Sequence, residues 1–249
     1  MMNLATRPEH LQEFMDDPGA DVGELDRGLA FIRFVNRRLG GTHSVLSTLR
    51  PWLMQWPKDS PIRLLDIATG SADIPLAMLA MGKNLGLTMR IAALDLHAAT
   101  LRLAGAHIGT CPAVQLLRGD AMRLPLADGS VDFVTCSLFL HHLTTPQAAM
   151  VLREMVRVAR HGWILSDLVR SRWALAAISA MTVFSPRLHR HDARVSVAKG
   201  WKRAEILQIA SDVGADTATY MPHAIARFVL AGRRAGRRAG GRAEGRRGP

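Results

Sequence analysis

From residue 61 onward the chain alternates short apolar runs with stretches whose apolar residues recur every three or four positions. RLLDIA (63–68), MRIAALDL (89–96), VQLLRGD (114–120), VDFVTCSLF (131–139) and GWILSDL (162–168) are rich in branched apolar residues and bounded by Gly, Pro or Asp, which predicts buried strands. IPLAMLAMGKNLG (74–86), AATLRLAGAHI (98–108) and TPQAAMVLREMVRVAR (145–160) carry the helical period, with Pro75 and Pro146 in first turns. A βαβα series of this kind folds as a doubly wound, Rossmann-like α/β sheet with its ligand crevice at the carboxyl ends of the strands. Upstream, residues 23–41 read as an amphipathic helix ended by Gly40 and Gly41, and THSVLSTLRPWL continues into another. They either cover the sheet or form a lid over the crevice. Downstream, residues 173–184 read as a helix, 188–200 as an irregular loop and 201–215 as a helix. Residues 216–232 read as two strands, an antiparallel C-terminal hairpin at the sheet edge that brings the sheet to seven strands. The expected division is a helical cover or lid at 1–60, the sheet domain at 61–232 and a tail at 233–249.

Composition narrows the class. The 249 residues are 48% apolar, but no apolar run approaches the roughly 20 residues that span a bilayer, and no secretory leader is evident at the start. Cys111 and Cys136 stand far apart, which fits reduced thiols and a cytoplasmic protein better than a disulfide frame or zinc site. The net charge of +11 raises nucleic-acid binding, yet AGRRAGRRAGGRAEGRRGP (231–249) supplies +6 of it. That tail has almost nothing to bury and is expected to be a disordered extension.

LLDIATGSAD (64–73) ends the first strand in a small-residue turn with one glycine, Gly70. A pyrophosphate-binding turn uses three glycines, and a phosphate loop adds a Lys-Ser/Thr pair. Neither is present, so a nucleotide without phosphates fits better. Asp95 closes the second strand, suited to two ribose hydroxyls, and Asp120 closes the third, suited to an exocyclic amine. Together they describe an adenosine lying across strands one to three. RGDAMRLPLADGSVDFVTCSLFLHHL (118–143) then joins an acid, a Leu-Pro turn, an Asp-Gly-Ser turn, a strand and Leu-His-His.

On these residues the chain resembles the class I S-adenosylmethionine-dependent methyltransferases, within them the group of ubiquinone/menaquinone-biosynthesis and phenol or sugar O-methyltransferases. The resemblance covers about residues 61–170 well and runs more loosely to 230. It implies S-adenosyl-L-methionine as cofactor, held at the ribose by Asp95 and beside the adenine by Asp120. Ala68, Thr69 and Gly70 would run along the methionine part, with Asp66, Leu96, Ala121 and Ser137 completing the cofactor's surroundings. The family's usual Gly-x-Gly-x-Gly is altered here, with Ala68 and Ala72 in place of the first and third glycines.

Methyl transfer from a sulfonium is an in-line displacement in which alignment supplies much of the rate; a hydroxyl nucleophile also gains from a general base near neutral pH. His141 and His142 follow the fourth strand and Asp167 ends the fifth. This suggests His141 as base oriented by Asp167, with His142 as substrate contact or alternate base, an arrangement the resemblance also implies; alternatively the histidines only cap the helix beginning near Thr145. His191, Asp192 and Arg194, with His189 beside them, are candidate substrate contacts or a solvated surface. Their spacing matches no metal-ligand pattern, and no metal is expected. The leading expectation is an enzyme methylating an aromatic hydroxyl, or a ring carbon, of a polyketide, quinol or related metabolite. A nucleic-acid methyltransferase aided by the tail is disfavoured, because the fourth strand lacks an Asn/Asp-Pro-Pro-aromatic motif and Tyr220 is the only tyrosine. A noncatalytic cofactor-fold scaffold would bind the cofactor without turnover.

Overall fold

A computed structural model describes residues 4–14, 19, 21–223 and 226–234. The elements follow in the order α1 (Val22–Arg38), α2 (Gly41–Leu53), β1 (Ile62–Ile67), α3 (Asp73–Asn84), β2 (Met89–Asp95), α4 (Ala98–Ile108), β3 (Val114–Arg118), β4 (Val131–Ser137), α5 (Thr145–Val158), β5 (Ala159–Leu168), α6 (Arg172–Met181), α7 (Arg187–Lys199), α8 (Arg203–Asp212), β6 (Thr219–His223) and β7 (Arg227–Arg233). One seven-stranded sheet has the order β3-β2-β1-β4-β5-β7-β6. The first five strands pair in parallel, whereas β7 pairs antiparallel to both β5 and β6. The chain winds outward from β1 to β2 and β3, then crosses to β4 on the other side. That reversal opens a crevice between the carboxyl ends of β1 and β4.

Period-two alternation inside each strand feeds two cores. Leu65, Ile67, Val134, Cys136, Leu165 and Leu230 face α5 and α8, which contribute Val151, Leu152, Met155, Ile206 and Ile209. Leu64, Phe133, Ile164 and Val229 point the other way, against Val45, Leu49 and Leu53 of α2 and Ile74 and Met78 of α3. Each such side chain contributes about 1.5–3 kcal/mol when fully buried, so the central strands are fixed from both faces. At the start of α5, Thr144 N donates to Gln147 Oε1 at 2.9 Å, and Pro146 occupies the first turn, where its missing N–H costs nothing.

Three regions differ from the sequence reading. Residues 188–200, expected to be an irregular loop, form α7; this helix has no regular apolar stripe, and it packs by Val195, Val197 and Ala198 near its end. The strand β7 extends to Arg233, and Arg234 N still donates to His161 O at 3.0 Å, so the sheet continues past residue 232. The remainder of the expected tail, from 235, lies outside the described residues. Finally, residues 4–14 run as an irregular strap ahead of the helical cover. The Arg7 guanidinium donates to the carbonyls of His141 (2.9 Å), Leu143 (2.5 Å) and Lys199 (2.7 Å), and lies 3.8 Å from the centre of the Trp201 ring.

The crossing of α2 over β5 depends on a missing side chain. A Cβ at Gly162 would come within 2.9 Å of Trp52 Cζ3 and 3.0 Å of Gly232 O. The second obstacle is backbone of the paired strand and cannot rotate away. Gly162→Ala is therefore expected to destabilise the protein by about 1–3 kcal/mol, read as a lower denaturant midpoint with an unchanged m value; an unaltered midpoint would show that α2 can lift off β5 without loss.

Candidate active site

The crevice holds a cavity of about 310 Å³. Its floor is the turn after β1, where Ala68, Gly70 and Ala72 have φ of 52°, 55° and 56°. Glycine enters this left-handed region freely and alanine does so at a cost, so the two alanines hold the backbone path of a glycine-rich turn. Hydrogen bonds fix it: Thr69 N donates to Leu94 O at 3.0 Å, and Gly70 N donates to Asp95 Oδ2 at 3.1 Å. Asp95 also accepts from His97 N through Oδ1 at 3.1 Å. Burial raises the Asp95 carboxyl above its ordinary range, offset in part by these N–H groups. Asp120, one strand further out, accepts from Met122 N at 2.8 Å.

Asp66 sits beneath the turn, taking the Thr135 hydroxyl at 2.6 Å on Oδ1 and the Thr69 hydroxyl at 2.7 Å on Oδ2. Burial pushes its carboxyl up to about 7 against these two bonds. All the residues expected around a cofactor line the cavity: Asp66, Ala68, Thr69, Gly70, Asp95, Leu96, Asp120, Ala121 and Ser137. Ser137 Oγ is buried there and makes no hydrogen bond among the described residues. Leu25, Leu29 and Ile32 of α1 close the cavity from the opposite side, so this helix covers the crevice itself. Asn36 on the same helix donates to Asp73 Oδ2 at 3.1 Å, tying the cover to the start of α3.

The two histidines after β4 separate. Leu140–His142 form a single 3-10 turn, in which adjacent side chains diverge by roughly 120°. His141 turns inward and is 2% exposed; its Nδ1 lies 2.6 Å from Asp167 Oδ1 and its N–H donates to Asp167 Oδ2 at 3.1 Å. Burial would raise the Asp167 carboxyl, but the imidazole and the Leu168 N–H outweigh it and hold the carboxyl below its usual range. His142 turns outward and lines the cavity together with Phe139 and Leu143, whereas His141 does not line it. The pair expected to act directly on an acceptor is therefore placed behind its neighbour. Beyond His141 lies Glu13, buried in the strap and absent from the sequence reading. Its Oε1 is 3.8 Å from His141 Nε2 and 3.7 Å from His142 Nδ1.

His191, Asp192 and Arg194 lie outside this cavity, on the surface of α7. Asp192 Oδ1 accepts from Phe14 N at 3.0 Å, His191 packs on the Phe14 ring at 4.9 Å between centroids, and Arg194 Nε donates to Ser179 Oγ at 3.1 Å. They fasten the strap and α6 to α7. No spacing rule could have found Glu13, because its partners lie 128 to 183 residues away.

Residues 65–166 match the family model described as "Methyltransferase domain". Over 134 residues the chain is 29% identical to a demethylmenaquinone methyltransferase of Staphylococcus aureus, covering 52% of this chain and 54% of that one. It spans about half the length of the curated relatives it matches. Among solved structures, an S-adenosylmethionine-dependent methyltransferase from Aquifex aeolicus superposes with a TM-score of 0.56 at 15% identity, over 86% of this chain and 98% of that one. Human N-acetylserotonin methyltransferase, solved in complex with S-adenosylmethionine, superposes with a TM-score of 0.63 at 15% identity, over 86% and 56%. In sheet order and crevice the chain has the fold of the S-adenosylmethionine-dependent methyltransferases it superposes on, and its segment 65–166 matches a methyltransferase domain.

The raised carboxyl of Asp66 has a consequence for stability. The folded protein keeps a proton that the unfolded chain releases above about pH 4, so stability falls as pH rises from there to about 7 and levels off beyond. Asp66→Asn cannot ionise and retains a polar partner for both hydroxyls; its unfolding free energy is expected to vary less between pH 5 and 8 than that of the parent. Identical slopes in denaturant titrations across that range would show that Asp66 stays ionised in the fold.

Proposed function

We propose that the protein binds S-adenosyl-L-methionine along the carboxyl ends of β1 to β3 and transfers its methyl group to a small aromatic acceptor, at a hydroxyl or an activated ring carbon of quinol or polyketide type. The observation that carries this reading is the placement of Asp95 and Asp120 on adjacent strand ends of one cavity whose far corner is His142. Asp95 spends its backbone contacts on two N–H donors and has lone pairs left for the two ribose hydroxyls. The turn at Ala68–Gly70, which lines the same cavity as Ser137, would hold the methionine part. Leu25, Leu29 and Ile32 of α1 line the cavity and would exclude water from a bound sulfonium, and a dry, aligned approach of nucleophile to methyl carbon is what an in-line displacement requires. The S. aureus relative acts on demethylmenaquinone by its name, which supports a quinol-like acceptor. The acceptor proton leaves in the corner formed by His142, with His141 and Asp167 as positioning residues behind it.

Two substitutions separate cofactor binding from chemistry. Asp95→Ala removes a charged acceptor from two hydroxyls and is expected to weaken S-adenosylmethionine binding by about 1.5–3 kcal/mol, roughly 10- to 150-fold in calorimetry. His142→Ala should leave that affinity within about twofold of the parent while slowing transfer to a phenol or quinol by about 100-fold or more in single turnovers. Unchanged affinity in the first variant would remove the ribose assignment. A parental rate in the second, on the acceptor found by screening phenols and quinols with labelled cofactor, would take His142 out of the chemistry.

A further inference from the structure

We propose that Glu13, His141 and His142 form a binding site for one divalent transition cation of the zinc type, at the acceptor end of the cavity. Glu13 is 4% exposed, and its two oxygens differ. Oε2 accepts from Ser196 Oγ at 2.7 Å, whereas Oε1 is fully buried and makes no hydrogen bond among the described residues. A buried carboxylate oxygen without a partner is strongly unfavourable unless something compensates its charge. The groups facing it are His141 Nε2 at 3.8 Å and His142 Nδ1 at 3.7 Å. These separations exceed the roughly 2.7–2.9 Å of a charge-assisted N–H···O bond. They lie within a few tenths of an ångström of the roughly 3.4 Å between neighbouring ligand atoms of a tetrahedral ion with bonds of about 2.1 Å. All three ligand atoms fall within 4.8 Å of one another.

The surroundings are those of a ligand set. Asp167 Oδ1 holds His141 Nδ1 at 2.6 Å, which places the proton on Nδ1 and turns the Nε2 lone pair toward Glu13. A carboxylate behind a ligating imidazole is the usual outer support of such sites. Two imidazoles and one carboxylate suit zinc and its first-row neighbours rather than magnesium or calcium. His142 also lines the cavity, so a cation held here has an open side toward the acceptor. There it would polarise an acceptor hydroxyl as a Lewis acid. This role rests on the methyl-transfer reading of the cavity, whereas cation binding itself does not.

The test uses the full chain, free of affinity tag and stripped with a chelator, titrated with Zn²⁺ in a calorimeter and with Co²⁺ in a spectrophotometer. One equivalent of Zn²⁺ is expected to bind and to raise the melting temperature, and Co²⁺ should develop the visible bands of a four-coordinate site. Glu13→Gln and His142→Ala should each weaken Zn²⁺ binding at least 10-fold and abolish the bands. Asp167→Asn should weaken it about 10- to 100-fold. Absence of stoichiometric binding in the parent protein, or parental affinity in either ligand variant, would overturn the site. S-adenosylmethionine titrated into the same stripped samples keeps the two proposals apart. Cofactor binding without a cation removes only the metal site, and a cation without cofactor binding removes only the methyl-transfer reading.

Discussion

Parallel pairing of β1 with both β2 and β4 is the constraint on which the rest of the molecule depends. Strands that all run one way bring their carboxyl ends to one rim, and every connection must return along a face of the sheet. At the rim the chain has just left one strand and not yet begun its helix, so backbone N–H groups and short polar side chains collect there. The outward winding in both directions from β1 leaves no crossover above the β1–β4 boundary. The crevice is a gap that the topology cannot fill, and α1 is the element that covers it.

The same rim concentrates acids away from water. Asp66, Asp95 and Asp167 are each less than 9% exposed, and each is stabilised by a different means. Two hydroxyls hold Asp66, backbone N–H groups hold Asp95, and an imidazole holds Asp167. The outcomes diverge accordingly: hydroxyls leave the first carboxyl near 7, whereas a neighbouring imidazole keeps the third ionised. One rim of the sheet thus provides carboxyl groups of distinct character.

The central sheet was legible in the sequence because branched apolar runs and Gly, Pro or Asp boundaries coincide with β1 to β5, and strand-end acids follow from those boundaries. That is why the residues expected around a cofactor all border the cavity. Three features were not legible. The helix α7 lacks an apolar stripe, since its charged residues serve as anchors for the strap and for α6. The different fates of His141 and His142 depend on one 3-10 turn that no periodicity announces. Glu13 stands in a segment without regular structure, and its burial is created wholly by residues far along the chain.

The strap gives the site an order of assembly. Arg7 reaches the carbonyl of Lys199 across 192 residues and that of His141 across 134, while Glu13 bonds Ser196 across 183. During synthesis Lys199 and Ser196 appear only after β5, α6 and most of α7 have been made, by which time β1 to β4 can already pair. A nascent chain can therefore own the β1–β4 part of the crevice rim for several seconds at about 5–20 residues per second while the strap is still unattached. Arg7 and Glu13 thus emerge long before Lys199 and Ser196, the partners that fix them, and until those are made the rim stands without its strap.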